Sequence, residues 1–126
     1  MSGVACWDPH HASRSVACAA GHSVKTVRNS KESWSILEHA NVKSIDFNPN
    51  KQNQLAVGGV DGEVRFYDVR NTKERVHHLT NLHTHWVWSV KYNPVHDQLF
   101  LSSGGDGRVY LHSITSIRFV AKYLIF

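Results

Sequence analysis

Serine, histidine and aspartate occur together in one half of the chain, as His83, Ser102 and Asp106. In a nucleophilic triad the imidazole takes the hydroxyl proton and the carboxylate orients the ring. Ser102 lies in "FLSSGG", which lacks the Gly-x-Ser-x-Gly elbow and leads into no helical pattern. The three are therefore not read as catalytic, and no enzyme is expected. Ten histidines in 126 residues also raise a metal site. His77-His78, His83-x-His85 and His10-His11 offer the pairs. Alternation along a strand sends His77 and His78 to opposite faces. Structural zinc usually recruits closely spaced cysteines, and Cys6 and Cys18 make no Cys-x-x-Cys. These histidines read as solvated strand and loop residues, with no metal. Gly58-Gly59 and Gly104-Gly105 look like phosphate loops only in composition, because no Lys-Ser/Thr follows them. No cofactor is expected.

The remaining conspicuous residues suit binding rather than reaction. In "HTHWVWSVKYNP" Trp86 and Trp88 bracket Val87. If Val87, Val90 and Tyr92 face a core, the two tryptophans stand at its mouth with one wet edge. Such aromatics anchor interfaces. Trp86 and Trp88 are thus partner-binding candidates. Trp7, Trp34 and Phe47 are assigned to packing.

Composition narrows the class. At 41% hydrophobic and 19% charged the chain is globular rather than disordered. Fourteen basic against ten acidic side chains give +4, spread without a like-charge block. A nucleic-acid surface clusters its Lys and Arg, so no nucleic acid is expected. Two cysteines in apolar runs and no Asn-x-Ser/Thr acceptor favour reduced cytosolic thiols. The longest apolar run, 117–126, is interrupted by Arg118 and Lys122. It is shorter than the about 20 residues a spanning helix needs, so no membrane span is expected.

The elements that must position these residues repeat. Shifting residues 42–68 by 45 lays Val42 on Val87, Ile45 on Val90, Phe47 on Tyr92 and Asn48-Pro49 on Asn93-Pro94. Asp61-Gly62 then falls on Asp106-Gly107 and Val64 on Val109. A weaker copy lies upstream at an offset near 40, where Trp7-Asp8-Pro9 matches Phe47-Asn48-Pro49. Each copy has one strand ending in Pro, which cannot donate to a ladder. A second apolar run enters an Asp-Gly hairpin turn, and a third strand, "EVRFYD" or "RVYLHS", leaves it. Trp34–Leu37 and Arg75–Leu79 suggest a fourth strand. No helical period of useful length occurs. Short strands at this spacing predict an all-β antiparallel repeat architecture.

These copies resemble WD repeats, the four-stranded blades of β-propellers. His83 stands four residues before Val87, as that family's His does, and Tyr67-Asp68 takes its Trp-Asp place. The resemblance implies an all-β WD-repeat propeller fragment of about two and a half to three blades, open rather than closed. Its divisions are a partial repeat at 1–38, a repeat at 39–82, a repeat at 83–116 lacking its last strand, and a non-family apolar tail at 117–126. The tail reads either as a cap lying along a sheet edge or as a sticky edge strand. The resemblance also implies a structural hydrogen-bond network of His83, Ser102 and Asp106, with His112 in the tryptophan place, and it makes Arg70 in "DVRN", which resembles the family's Trp-Asp-x-Arg, a third partner-binding candidate. "VACWDPHH", "DFNPNKQ", "HTHWVW" and "YNPVHDQL" resemble the branch of the family that interacts with the endosome-associated recycling complex (EARP) and the Golgi-associated retrograde complex (GARP). That implies a non-enzymatic cytoplasmic scaffold recruited to endosomes and the trans-Golgi network. It would act in endosomal recycling, Golgi retrograde traffic and dense-core vesicle sorting, with EARP/GARP-type tethering complexes as partners. The alternative is a nuclear WD-repeat adaptor binding histone or other peptides. The oligomeric state is open.

Overall fold

A computed structural model describes residues 3–10, 14–28, 31–38, 40–79, 82–115 and 118–124. Side chains at 32, 33, 37, 74, 75, 77, 78, 115 and 118–124 lie outside that description. Twelve strands form three sheets. Blade 1 holds β1 (Gly3–Trp7), β2 (Val16–Ala20), β3 (Ser23–Arg28) and β4 (Lys31–Leu37). Blade 2 holds β5 (Val42–Phe47), β6 (Gln54–Gly59), β7 (Val64–Asp68) and β8 (Asn71–Leu79). Blade 3 holds β9 (Val87–Tyr92), β10 (Leu99–Gly104), β11 (Val109–Thr115) and β12 (Arg118–Leu124). Within each sheet the strands pair antiparallel in chain order. The first three strands of blades 2 and 3 begin 45 residues apart, the offset of the sequence repeat.

The turns follow from residue chemistry. Each inner strand ends in Asx-Pro. Asn48 Oδ1 accepts the N–H of Asn50 and of Lys51, both at 2.9 Å. Asn93 Oδ1 accepts those of Val95 and His96, and Asp8 Oδ1 that of His10. Proline removes one donor and the Asx side chain satisfies the next ones, so the strand stops and the chain turns. At the second turn Asp61 Oδ1 accepts the Glu63 N–H and Asp106 Oδ1 the Arg108 N–H. Gly62 and Gly107 follow those aspartates at φ 80° and 77°, a region that costs glycine nothing.

Blades stack face to face. β1 of blade 1 packs on β5, and β5 and β6 of blade 2 pack on β9. Alternation divides β6 between the two seams. Leu55 and Val57 face blade 1 with Ala17, Val24, Ile36, Ile45 and Phe47. Ala56 faces blade 3 with Val64, Phe66, Val87, Val90, Tyr92 and Phe100. Gly58 is small because blade 3 is close: a Cβ there would sit 2.8 Å from Val87 Cγ1 and 3.1 Å from Val90 Cγ1. Its glycine serves packing and cradles nothing. The seam is also hydrogen-bonded. Val90 N–H donates to Ser44 Oγ at 3.0 Å and Tyr92 N–H to Asp46 Oδ2 at 2.8 Å. Inner-strand amides without a strand partner are thus satisfied by side chains of the preceding blade. Burial holds the Asp46 carboxyl above its ordinary range, against the lowering effect of the Tyr92 N–H.

Three features differ from the sequence reading. Blade 1 has all four strands rather than part of a set. Blade 3 has its last strand too: the tail supplies β12, paired with β11 from Tyr110↔Leu124 to Thr115↔Arg118. The open edge of β11 offers a ladder, and an apolar β-prone run with no Pro completes it. Trp7, assigned above to packing, is 65% exposed. Among the described residues no sheet packs on that face of β1. Gly58→Val is expected to lower unfolding free energy by about 1–3 kcal/mol, since backbone and two valines must shift. Urea denaturation of the two proteins checks this.

Candidate functional site

Blade 3 carries a chain of four polar side chains. His83 precedes β9, Ser102 lies in β10, Asp106 opens the β10–β11 turn and His112 lies in β11. His83 Nδ1 is 3.0 and 3.1 Å from the two Asp106 carboxylate oxygens. Its Nε2 is 3.0 Å from Ser102 Oγ, which is 2.9 Å from His112 Nε2. The Thr84 and Arg108 N–H groups also donate to Asp106. Burial works against the Asp106 anion, but these bonds outweigh it and hold its carboxyl below the ordinary range. The structure thus brings His83, Ser102 and Asp106 together and adds His112. Ser102 is almost wholly buried, hydrogen-bonded on both sides and walled by the blade. A nucleophile needs an open approach to its oxygen, and this hydroxyl has none. The chemistry of the set is mutual satisfaction of buried polar groups, which would each cost about 1–3 kcal/mol unpaired.

Blade 2 solves the same problem with different residues. Subtracting the repeat offset places Glu38 where His83 stands, Asp61 where Asp106 stands, Val57 for Ser102 and Arg65 for Tyr110. Arg65 is buried, and its Nη2 reaches Asp61 Oδ2 and, at 2.7 Å, Glu63 Oε2. Its Nη1 lies 3.5 Å from Glu38 Oε2. Glu38 Oε1 and Arg65 Nε have no hydrogen-bond partner among the described residues. Burial alone would favour neutral Arg65, yet the three carboxylates hold its pKa above the ordinary value. Sequence reading missed this cluster because an ion pair replaces the His-Ser pattern. The offset of 45, applied to His83, was the signal that finds Glu38.

The candidate contact residues separate by position. His83 N–H donates to Gly62 O, so the lead-in to β9 meets the β6–β7 turn at the entry end of the inner strands. At the exit end, Asn48 Nδ2 donates to Asp97 Oδ2 and Asn50 Nδ2 to Val95 O. Trp86 and Trp88 lie at the entry end, 37% and 50% exposed, with ring centroids 5.3 Å apart at 63°. The Lys43 ammonium lies 4.7 Å from the Trp86 ring and 5.6 Å from the Trp88 ring. The His85 ring packs against Trp86, tilted by 39° with centroids 5.4 Å apart. The result is an exposed aromatic platform with a cation held against it. Arg70 is not part of it. It follows β7 at the exit end, where its guanidinium forks onto Asp68 at 2.6–3.2 Å. That fork holds the Asp68 carboxyl below its ordinary range.

The histidines weighed as metal ligands do not converge. His83 is in the network, His85 is on Trp86, and His10 Nε2 is 2.9 Å from Asn48 O on another blade. His11 and the side chains of His77 and His78 lie outside the described residues. Among the described residues no group of three metal-ligating side chains gathers, and no helix is long and apolar enough to cross a membrane.

Three stacked antiparallel blades, each led by an Asx-Pro strand and one held by a His-Asp-Ser chain, define a β-propeller sector built from WD-type repeats. Residues 2–112 match the model of the EIPR1 beta-propeller family, and the chain belongs to that family. It is 44% identical over 116 residues to the EARP and GARP complex-interacting protein 1 of Rattus norvegicus, covering 88% of this chain and 30% of that protein. It is 40% identical over 120 residues to the EARP-interacting protein 1 of Caenorhabditis elegans, covering 90% and 32%. It is 36% identical over 107 residues to the WD repeat-containing protein DWA2 of Arabidopsis thaliana, covering 83% and 30%. The chain spans about a third of the length of these relatives.

Two predictions follow from the polar clusters. Asp106 titrates below its ordinary value in the folded state, so its contribution is present above pH about 4 and is lost as pH falls through the depressed value. Asp106→Asn is therefore expected to destabilise the protein at pH 7 and to flatten the acid limb of its stability curve, read by thermal melts from pH 7 to 2. Arg65→Leu leaves three carboxylates facing one another and is expected to cost about 3–5 kcal/mol in urea denaturation, whereas Arg70→Ala leaves the midpoint unchanged.

Proposed function

We propose that the chain is a sector of a non-enzymatic adaptor that engages EARP- and GARP-type tethering complexes. In this reading it works in the cytoplasm, recruited to endosomes and the trans-Golgi network. It takes part in endosomal recycling, Golgi retrograde traffic and dense-core vesicle sorting. The single observation that carries this is 40–44% identity along most of the chain to proteins named for interaction with those complexes. The physical reading agrees. The groups that resemble a reactive triad are buried in one hydrogen-bonded chain. The most exposed aromatic surface at the entry end is the Trp86–Trp88 pair, and rigid amphipathic rings suit protein contact.

Co-precipitation of the tagged chain from cells, blotted for subunits of both complexes, tests the reading. Recovery is expected to fall at least severalfold with Trp86→Ala/Trp88→Ala and to be unchanged with Arg70→Ala, at the opposite end. Absence of subunits in a pull-down where a full-length relative recovers them would remove this sector from the contact. Equal recovery with the double tryptophan variant would move the contact to another surface.

A further inference from the structure

The lead-in to an inner strand is built twice on one plan. Val60 N–H donates to Asn41 O at 2.9 Å, and at the same place in the next repeat Gly105 N–H donates to Trp86 O at 2.7 Å. Lys43 and Trp88 are matching bulge residues. The first is skipped between the pairs Val42↔Gly59 and Ser44↔Gly58, the second between Val87↔Gly104 and Ser89↔Ser103. Trp86 thus stands in the place of Asn41, and Trp88 in that of Lys43. Blade 2 has a sheet packed on either side, and Asn41 is exposed there all the same. The place of Trp86 is open to solvent by the plan of the blade, not by its position in the stack.

The residues at this place differ between the two blades, and they differ together. Where blade 2 has Ala40 and Val60, blade 3 has His85 and Gly105. A Cβ on Gly105 would run into the His85 ring, so the glycine is what seats that ring. The ring in turn backs Trp86. Where blade 2 has Glu63, bonded to Arg65, blade 3 has Arg108, whose Nη1 donates to Tyr110 Oη at 3.3 Å. Blade 2 turns and stacks without an aromatic pair here, so the fold does not require one.

The charges around the rings favour an anion. The Lys43 ammonium lies 4.7 Å from the Trp86 ring and 5.6 Å from the Trp88 ring. A ring face attracts that charge without consuming its three N–H donors. The acids of this end are engaged already: Asp106 by His83 and two N–H groups, Asp61 and Glu63 by Arg65. A carboxylate arriving at the platform therefore meets Lys43, with Arg108 on the adjoining turn. An anionic lipid surface is recognised by a broader cluster of about four to eight Lys and Arg, which this place lacks among the described residues.

We propose that the platform binds an acidic segment of a partner protein, an apolar side chain lying on Trp86 and Trp88 and a neighbouring carboxylate on Lys43. This rests on the adaptor reading in assigning the segment to a tethering-complex subunit, and on the chain's own residues for its chemistry.

The test is selection of a random linear peptide library, displayed on phage, on the immobilised chain, with the recovered peptides then titrated by fluorescence anisotropy. Recovered sequences are expected to combine Asp or Glu with Leu, Ile, Phe or Trp. Trp86→Ala is expected to weaken them about tenfold or more. Lys43→Glu is expected to weaken them severalfold and to abolish the loss of affinity with added salt. Asn41→Ala, the same place in blade 2, leaves affinity unchanged. Circular dichroism checks that each variant keeps its strands, and Lys43→Gln replaces Lys43→Glu should that one lose them. Recovery of no peptide, of basic or purely apolar sequences, or of acidic ones indifferent to Lys43→Glu overturns the proposal. So does binding to phosphatidylserine vesicles that Lys43→Glu abolishes, which would assign the platform to lipid. The two readings fail separately. Acidic peptides recovered on a chain that co-precipitates neither complex remove the adaptor reading alone. Complexes lost with Trp86→Ala/Trp88→Ala but retained with Lys43→Glu remove the acidic occupant alone.

Discussion

A four-stranded antiparallel sheet has two faces and cannot cover either one by itself. Everything in this molecule answers that constraint. Blade 2 is the only one of the three with a neighbour on both sides, and its strands show it: β6 is buried along nearly its whole length, with Leu55 and Val57 serving one seam and Ala56 and Gly58 the other. The outer blades show the opposite condition. Trp7, Val27 and Leu101 occupy places that are covered in the repeats beside them. The apolar area removed at a seam, at about 25 cal/mol per Å², is the main force that turns three sheets into one body.

Stacking also buries polar groups, and the two later blades handle them differently. Blade 3 threads two imidazoles, a hydroxyl and a carboxylate into one chain with its heavy-atom gaps near 3 Å. Blade 2 gathers three carboxylates around one guanidinium and leaves two atoms without a hydrogen bond among the described residues. The first satisfies its members more fully, and buried ion clusters recover their desolvation cost only with good geometry. Both do the same job: they fix the lead-in of an inner strand against its own β-turn. In blade 3 that lead-in carries His85 and Trp86, so the network that resembles a catalytic site is what holds the aromatic platform in place.

Much of this was legible in the residues. The offset of 45 gave the strand starts of blades 2 and 3, because Asx-Pro and Asp-Gly are punctuation with a local physical cause. Alternation around Trp86 and Trp88 gave their exposure, since Val87, Val90 and Tyr92 had to face the core. What stayed hidden depended on context beyond the repeat. Trp7 looks like Phe47 and Tyr92 in its own strand, and its exposure depends on which sheet packs on that face, which its own strand does not encode. Arg70, a separate binding candidate, stands at the other end from the tryptophans, because β7 runs away from the entry end of the inner strands. The tail has no counterpart in the repeat, so its place beside β11 is a property of the open sheet edge rather than of its own pattern. Glu38 and Arg65 were hidden because an ion pair shares no residue type with the histidine chain it replaces.

Native-state hydrogen exchange, resolved by residue, tests the stacking constraint most directly, because amide protection reports the free energy of local opening. The account predicts slowest exchange in β5, β6 and β7, where both faces are covered, with protection declining outward to β1 and β12. Equal protection across the three blades, or faster exchange in β6 than in β1, would contradict it.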